Sequence, residues 1–299
     1  MFTILFLYAL CASTFTICKA VLLYAKPFFF VGIRMSAAGI LLLTYQGVRY
    51  GFNSLFQWSD RWDYLQIILF HVYITYMFDL WSLQYLSSLQ SSFIYNLSPF
   101  LAALFSYFIF DERMTSKKWV GLGLGMVGFF PQLYVSAFDQ GSGFATIMPM
   151  VILMLGVGSA MYGWTIVRKL INDKHYSPSC VNGIAMLGGG ILALVTSLFV
   201  EGWYPAPVSD WFHFIFLTAL IILVANIIFY NLYGELLKRY TSTFLAFAGF
   251  VTPFFAACFG WFFLGEGITI SLFFSLLTVS AGLYIFYQEE LRQGYFELP

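Results

Sequence analysis

The sequence predicts an all-α polytopic membrane protein: ten transmembrane helices arranged as two inverted five-helix repeats. Three observations carry this. Of 299 residues, 61% are hydrophobic and only 9% charged, where a soluble domain holds about 25% charged residues. Too little charge remains to coat a water-facing surface, and mean hydropathy is +0.82. Basic residues gather on alternate breaks between apolar runs. Finally, two sets of motif residues recur in the second half at nearly the same offset.

The apolar runs read as spans over roughly 2–24, 27–47, 64–86, 90–110, 118–138, 144–167, 178–200, 211–234, 242–264 and 267–287, each near the 20 residues a helix needs to cross. A barrel would instead show short alternating segments. The first run lacks a basic leader and a small-residue cleavage site, so it reads as a retained helix and not as a signal peptide. With a cytoplasmic N-terminus, inner loops and the C-terminal tail hold eleven Lys and Arg residues (Arg49, Arg61, Arg113, Lys117, Lys118, Arg168, Lys169, Lys174, Lys238, Arg239 and Arg292), and outer loops hold only Lys26. The positive-inside rule therefore puts both termini in the cytoplasm.

The repeat is visible in two independent matches. Pro27 is followed by Gly32-Ile33-Arg34-Met35 and Gly39-Ile40-Leu41. Pro178 is followed by Gly183-Ile184-Ala185-Met186 and Gly190-Ile191-Leu192, at an offset of 151 throughout. Pro99-Phe100 precedes Glu112 by thirteen residues, and Pro253-Phe254 precedes Glu266 by the same distance, at an offset of 154. The predicted units are 1–139 and 140–299. Five spans per unit is odd, so the second copy enters the membrane upside down. That is the plan of secondary carriers, with a site near the midplane where the repeats meet.

On these marks the chain resembles the drug/metabolite transporter superfamily, in its EamA-type branch: ten spans, two five-helix halves, a proline-then-glutamate ending to the fourth helix of each half, and Arg34 shortly after a proline in the second helix. The resemblance covers the whole chain. It implies a multi-pass protein of the bacterial inner membrane that exports or exchanges amino acids, their derivatives or other metabolites, and the family includes S-adenosylmethionine carriers of intracellular bacteria. The chain departs from a symmetric pattern at Ala185, which stands where the first half has Arg34.

Charged groups inside a membrane cost about 2.5–3.5 kcal/mol on insertion scales and are functional candidates. The predicted topology puts Lys19, Arg34 and Asp79 roughly 8–11 Å below the outer interface at 1.5 Å per residue, with Asn96 at a similar depth. Together they read as a polar pocket for a zwitterion: Arg34 as a forked donor to a carboxylate, Lys19 as a second anion contact, Asp79 as the partner of an amine. Structural alternatives stand beside these. Lys19 can snorkel to headgroups, and Arg34 can pair with Asp79. In helix eight, mid-span Asn226 and nearby Asn231 offer either solute contact or interhelical hydrogen bonds. His71, Thr75 and Asp79 share one helix face, as a proton path or a polar packing stripe.

Tyr76, Tyr95, Tyr162 and Trp164 are candidates to line a cavity and stack on a flat ring or hold a cation. Pro99 and Pro253 interrupt helices four and nine and read as bends or hinges. Glu112 and Glu266 read as helix-end residues. Other classes are disfavoured. Zero net charge argues against nucleic acid. Cys11, Cys18, Cys180 and Cys258 fall in apolar runs and suit neither a disulfide framework nor a zinc site. No HExxH, P-loop or cysteine–histidine constellation is present, so no metal or cofactor is expected. An intramembrane enzyme and a non-transporting scaffold are the rival classes. The expected partners are a small solute and the lipid bilayer. Oligomeric state and driving ion are open, and a monomer is compatible with the sequence.

Overall fold

The computed structural model describes residues 2–51, 57–110, 114–124, 127–128, 144–204, 206–238, 240, 245, 248–265 and 270–293. Among these residues, helix follows the ten predicted segments: α1 (Phe2–Val21), α2 (Pro27–Tyr50), α3 (61–83), α4 (88–110), α5 (116–124), α6 (Phe144–Asn172), α7 (Pro178–Val200), α8 (Trp211–Leu236), α9 (249–264) and α10 (Ile270–Arg292). Six of them, α1, α2, α4, α6, α7 and α8, are long and apolar enough to cross a membrane by length and composition. The chain is a polytopic all-α membrane protein.

Helices α2 and α7 cross along their lengths, and the repeated glycines form the seam. A Cβ on Gly39 would lie 2.5 Å from the backbone nitrogen of Leu187 in α7, and one on Gly190 would lie 2.5 Å from the backbone nitrogen of Ser36 in α2. Gly32 and Gly183 lie on the same seam, against Leu194 and Leu43. Small residues let two backbones approach this closely, which drives packing where lipid gives no hydrophobic incentive.

The first and second halves are also tied at both ends. At one end the Glu201 carboxylate, from the end of α7, accepts from the backbone N–H of Phe28 (2.8 Å) and Phe29 (2.9 Å). It caps a helix whose own N-cap, Lys26, makes no side-chain cap. Beside it, Ala25 and Val208 pair as an antiparallel bridge. At the other end Lys174 reaches Asp60 (2.5 Å) and Asp63 (2.9 Å), Lys169 reaches Asp63 (3.0 Å), and the Tyr176 hydroxyl donates to Asp60 (2.8 Å).

Two helices widen in the same place. Within α3, Ile67–Ile74 is π-helical, and within α8 so is Ile222–Phe229; each is eight residues, 155 positions apart. A π turn leaves carbonyls short of their usual donor, and such turns concentrate at functional sites. Polar side chains supply the missing donors here. Thr75 Oγ1 and Ser159 Oγ both donate to the carbonyl of Phe70 (2.6 and 2.7 Å). Asn231 Nδ2 donates to that of Ile227 (2.8 Å). Asn231 thus serves its own helix and also joins it to α7, its Oδ1 accepting from Ser179 Oγ (3.0 Å).

Pro99 and Pro253 do not interrupt helix interiors. Helix α4 breaks at Asn96 and Leu97, between Ser88–Tyr95 and Ser98–Phe110. Pro99 then opens the new helix, as Pro253 opens Thr252–Phe259. In a first turn the missing N–H has no intrahelical partner to lose.

Gly39→Val is expected to force the α2–α7 seam apart and cost about 1–3 kcal/mol, the range for overpacking, read as a lowered Tm of the detergent-purified protein. A second test concerns pH. Hydrogen bonds from Lys174 hold Asp60 below 3.8, and bonds from Lys174 and Lys169 outweigh burial in holding Asp63 below it. Their stabilisation is therefore full above that value and is lost as pH falls through the lowered ones. Lys174→Ala should be less stable by about 1 kcal/mol at neutral pH, and the gap should close in acid below the ordinary carboxylate range. A gap that persists unchanged there would exclude the network as its source.

Candidate functional site

A central cavity of about 110 Å³ lies between the two halves. It is built from the places where helices break or widen. From α3, Thr75, Tyr76 and Asp79 follow the π segment; from α8, Phe229 ends the other and Tyr230 and Tyr233 follow it. From the broken helix α4 come Tyr95 and Ser98, and from the 3-10 start of α9 come Gly249 and Thr252. These last form pairs at the repeat offset of 154, each pair just ahead of a repeated proline.

Arg34 lines this cavity and is 2% exposed. Its Nε donates to Asn226 Oδ1 (2.8 Å), its Nη1 to Cys18 Sγ (3.3 Å), and its guanidinium lies 5.0 Å from the centre of the Tyr76 ring and 5.9 Å from that of Phe30. All four partners are uncharged. The ion pairs among the described residues lie at helix ends, and none joins Arg34 to Asp79. The alternative of a buried Arg34–Asp79 pair is thus replaced by separate charges. Hydrogen bonds to a charged group are worth about 1.5–3 kcal/mol each and a desolvated cation–π contact about 2 kcal/mol. Against an insertion cost of about 2.5–3.5 kcal/mol, neutral partners suffice to hold the arginine.

Asp79 is buried on the same cavity, with the Tyr95 hydroxyl as its hydrogen-bonding neighbour. Its Oδ1 has no partner among the described residues. An orphaned carboxylate oxygen in a low-dielectric cavity is costly and is suited to an incoming cation.

The opposite wall is aromatic. Trp164 lies 4.2 Å from Tyr233 and 5.2 Å from Tyr230 between ring centres, and the Tyr230 and Tyr76 hydroxyls are 2.5 Å apart. Tyr8 closes this end, its hydroxyl donating to the carbonyl of Leu245. His71 stands behind Trp164, 4.4 Å between rings, off the cavity lining.

Of the residues singled out from sequence, Arg34, Tyr76, Asp79, Tyr95 and Trp164 therefore meet in one cavity. Lys19, Asn96, Asn226 and Tyr162 do not line it. The Lys19 ammonium donates to the carbonyls of Leu83 (3.4 Å) and Leu86 at the end of α3, instead of reaching headgroups or solute. Asn96 is buried at the α4 break. Asn226 sits behind Arg34. Tyr162 bonds Gln66 (2.5 Å) away from the lining. Glu112 and Glu266 lie outside the described residues. Sequence reasoning missed Tyr8, Ser98, Tyr230, Tyr233 and Thr252. For Ser98 and Thr252 a signal existed, the residue before each repeated proline.

Comparison with known proteins agrees with this architecture. The profile of the EamA-like transporter family matches residues 1–131 and 148–288. The S-adenosylmethionine/S-adenosylhomocysteine transporter of Chlamydia muridarum (strain MoPn / Nigg) is 36% identical over 290 residues, 95% of this chain and 90% of that protein. Its namesake in Chlamydia trachomatis serovar L2 is 34% identical, over 95% and 88%. The uncharacterized transporter YvbV of Bacillus subtilis (strain 168) is 27% identical, over 87% and 82%. A solved crystal structure, 18% identical with a TM-score of 0.65, covers 96% of both chains and has the same fold. The chain belongs to the EamA-like transporter family.

Proposed function

We propose that the chain carries S-adenosylmethionine and S-adenosylhomocysteine across the membrane by alternating access at the central cavity. The observation that carries this reading is the joint presence of one arginine, one carboxylate and an aromatic wall on a single cavity. Both solutes are amino acids joined through sulfur to adenosine. Arg34 meets the carboxylate, whose two oxygens match a guanidinium edge. Asp79 meets the ammonium group and, in S-adenosylmethionine, the nearby sulfonium. Trp164, Tyr230 and Tyr233 offer faces for the adenine ring. Relatives at 34–36% identity bear the names of transporters for these two solutes. A purely cationic solute fits poorly beside a buried arginine.

The same reading includes two inverted repeats, 1–139 and 140–299, in a bacterial inner membrane with both termini cytoplasmic. The paired π segments support it, because they recur near the offset of the sequence motifs. It also makes Pro99 and Pro253 the places where α4 and α9 bend as access alternates. A carrier moves its solute chemically unchanged, so no catalytic residue is assigned.

Flux into proteoliposomes tests the function. Labelled S-adenosylmethionine should enter, remain intact, and exchange against S-adenosylhomocysteine loaded inside; absence of flux, or chemical conversion of the label, refutes a carrier. Arg34→Ala and Asp79→Asn should each lower uptake at least about tenfold, the scale of one lost charge-assisted contact, with membrane insertion intact. Trp164→Ala should weaken binding by about 1–3 kcal/mol, the scale of one base–aromatic stack. Normal transport by all three would remove the site assignment.

A further inference from the structure

We propose that Asn226 is a positioning residue for Arg34: a neutral amide that fixes the guanidinium while leaving its positive charge for the solute carboxylate. This rests on the assignment of Arg34 made above and adds a role for a residue that does not touch the cavity.

The geometry fixes which way the amide faces. Arg34 can only donate, so Asn226 Oδ1 meets its Nε at 2.8 Å. The thioethers on the other side can only accept, so Asn226 Nδ2 meets Met35 Sδ at 3.1 Å and Met186 Sδ at 3.5 Å. Met35 and Met186 occupy matching places in the two copies of the helix-two motif, 151 positions apart. One sulfur from each half thus clasps the amide of α8, and its oxygen is presented to Arg34 of the first half. Asn226 is fully buried and lies inside the π segment of α8, which sets its place against α2.

The choice of an amide is the informative point. An aspartate there would reach the same Nε and make the stronger structural tie. It would also close an ion pair in a low-dielectric interior, and a paired guanidinium has little attraction left for a third charge. With Asn226, Cys18 and Tyr76 as partners the arginine is held but not neutralised. Its Nη2 makes no hydrogen bond among the described residues, which leaves one edge for a carboxylate oxygen.

The two roles separate on Asn226→Asp. A purely structural tie between helices would tolerate or gain from the extra charge; a positioning role would not. The probes are S-adenosylmethionine and its decarboxylated analogue, which keeps the sulfonium, amine and adenosine but lacks the carboxylate. Each competes for labelled uptake in proteoliposomes holding the full chain. The wild type should prefer the carboxylate-bearing solute by about tenfold or more, and Asn226→Asp and Arg34→Gln should each bring that ratio near one. A wild-type ratio in Asn226→Asp with a collapsed ratio in Arg34→Gln overturns the role of Asn226 alone. An unchanged ratio in Arg34→Gln, or no preference in the wild type, overturns the arginine assignment and this inference with it. Should Asn226→Asp fail to insert, Asn226→Ala carries the test. Its arginine is charged but unanchored, so the preference should fall, and a preference equal to wild type overturns the proposal.

Discussion

Inside lipid a backbone polar group finds no water, so every break in a helical hydrogen-bond ladder must be repaired by protein. That constraint organises the interior of this molecule. Where α3 and α8 widen, Thr75, Ser159 and Asn231 supply donors to the freed carbonyls. Where α3 ends, Lys19 does so for Leu83 and Leu86. Where α2 begins, Glu201 receives two N–H groups that the helix itself cannot satisfy. These repairs account for much of the buried polarity without reference to a solute. Arg34 and Asp79 stand apart from these repairs, because neither serves a broken ladder and both line the cavity.

The same distinction explains why depth alone was an incomplete guide. Lys19, Arg34, Asp79 and Asn96 fall in one layer by residue count, but only Arg34 and Asp79 of the four line the cavity. Rotation about each helix axis decides whether a side chain enters the cavity, and rotation depends on local pitch. A π segment adds residues without adding full turns, so positions beyond Ile74 and Phe229 sit elsewhere on the helix face than a regular count implies. Tyr230 and Tyr233 escaped notice for that reason. Tyr8 escaped for another: it lies in an unbroken apolar run, and only its bond to the carbonyl of Leu245, far away in sequence, draws it inward.

What was legible had a periodicity or an offset behind it. The ten helical segments follow hydropathy, which lipid enforces along the whole span. Gly39 and Gly190 were visible as repeated motif residues, and the seam between α2 and α7 gives the physical reason: each occupies a site where a Cβ would strike the opposite backbone. Pro99 and Pro253 were visible in the same way, though as interruptions, whereas they lie in the first turns of their helical segments. Arg34, Asp79 and Trp164 were found because charge and large amphipathic rings are expensive to bury in lipid. Asn226 was found as an intramembrane amide, but its partner lies 192 positions away, and no local pattern reveals so distant a contact.

Symmetry of the scaffold and asymmetry of the charges answer different needs. The pairs Tyr95 with Gly249 and Ser98 with Thr252 line the cavity from matching places in the two halves, so each half offers similar backbone to the space between them. The charges break the match. Arg34 corresponds to buried Ala185, and Asp79, by the offset of the π segments, to Gly234, which packs on Pro178. A fully symmetric site would present two arginines and two carboxylates, and a single zwitterion would have two equivalent ways to lie. With the ionic contacts confined to the first half and much of the aromatic wall in the second, a solute with one charged end and one flat ring has one favourable orientation. The supporting amide of Asn226 comes from the second half, so the charge in one repeat depends on the packing of the other.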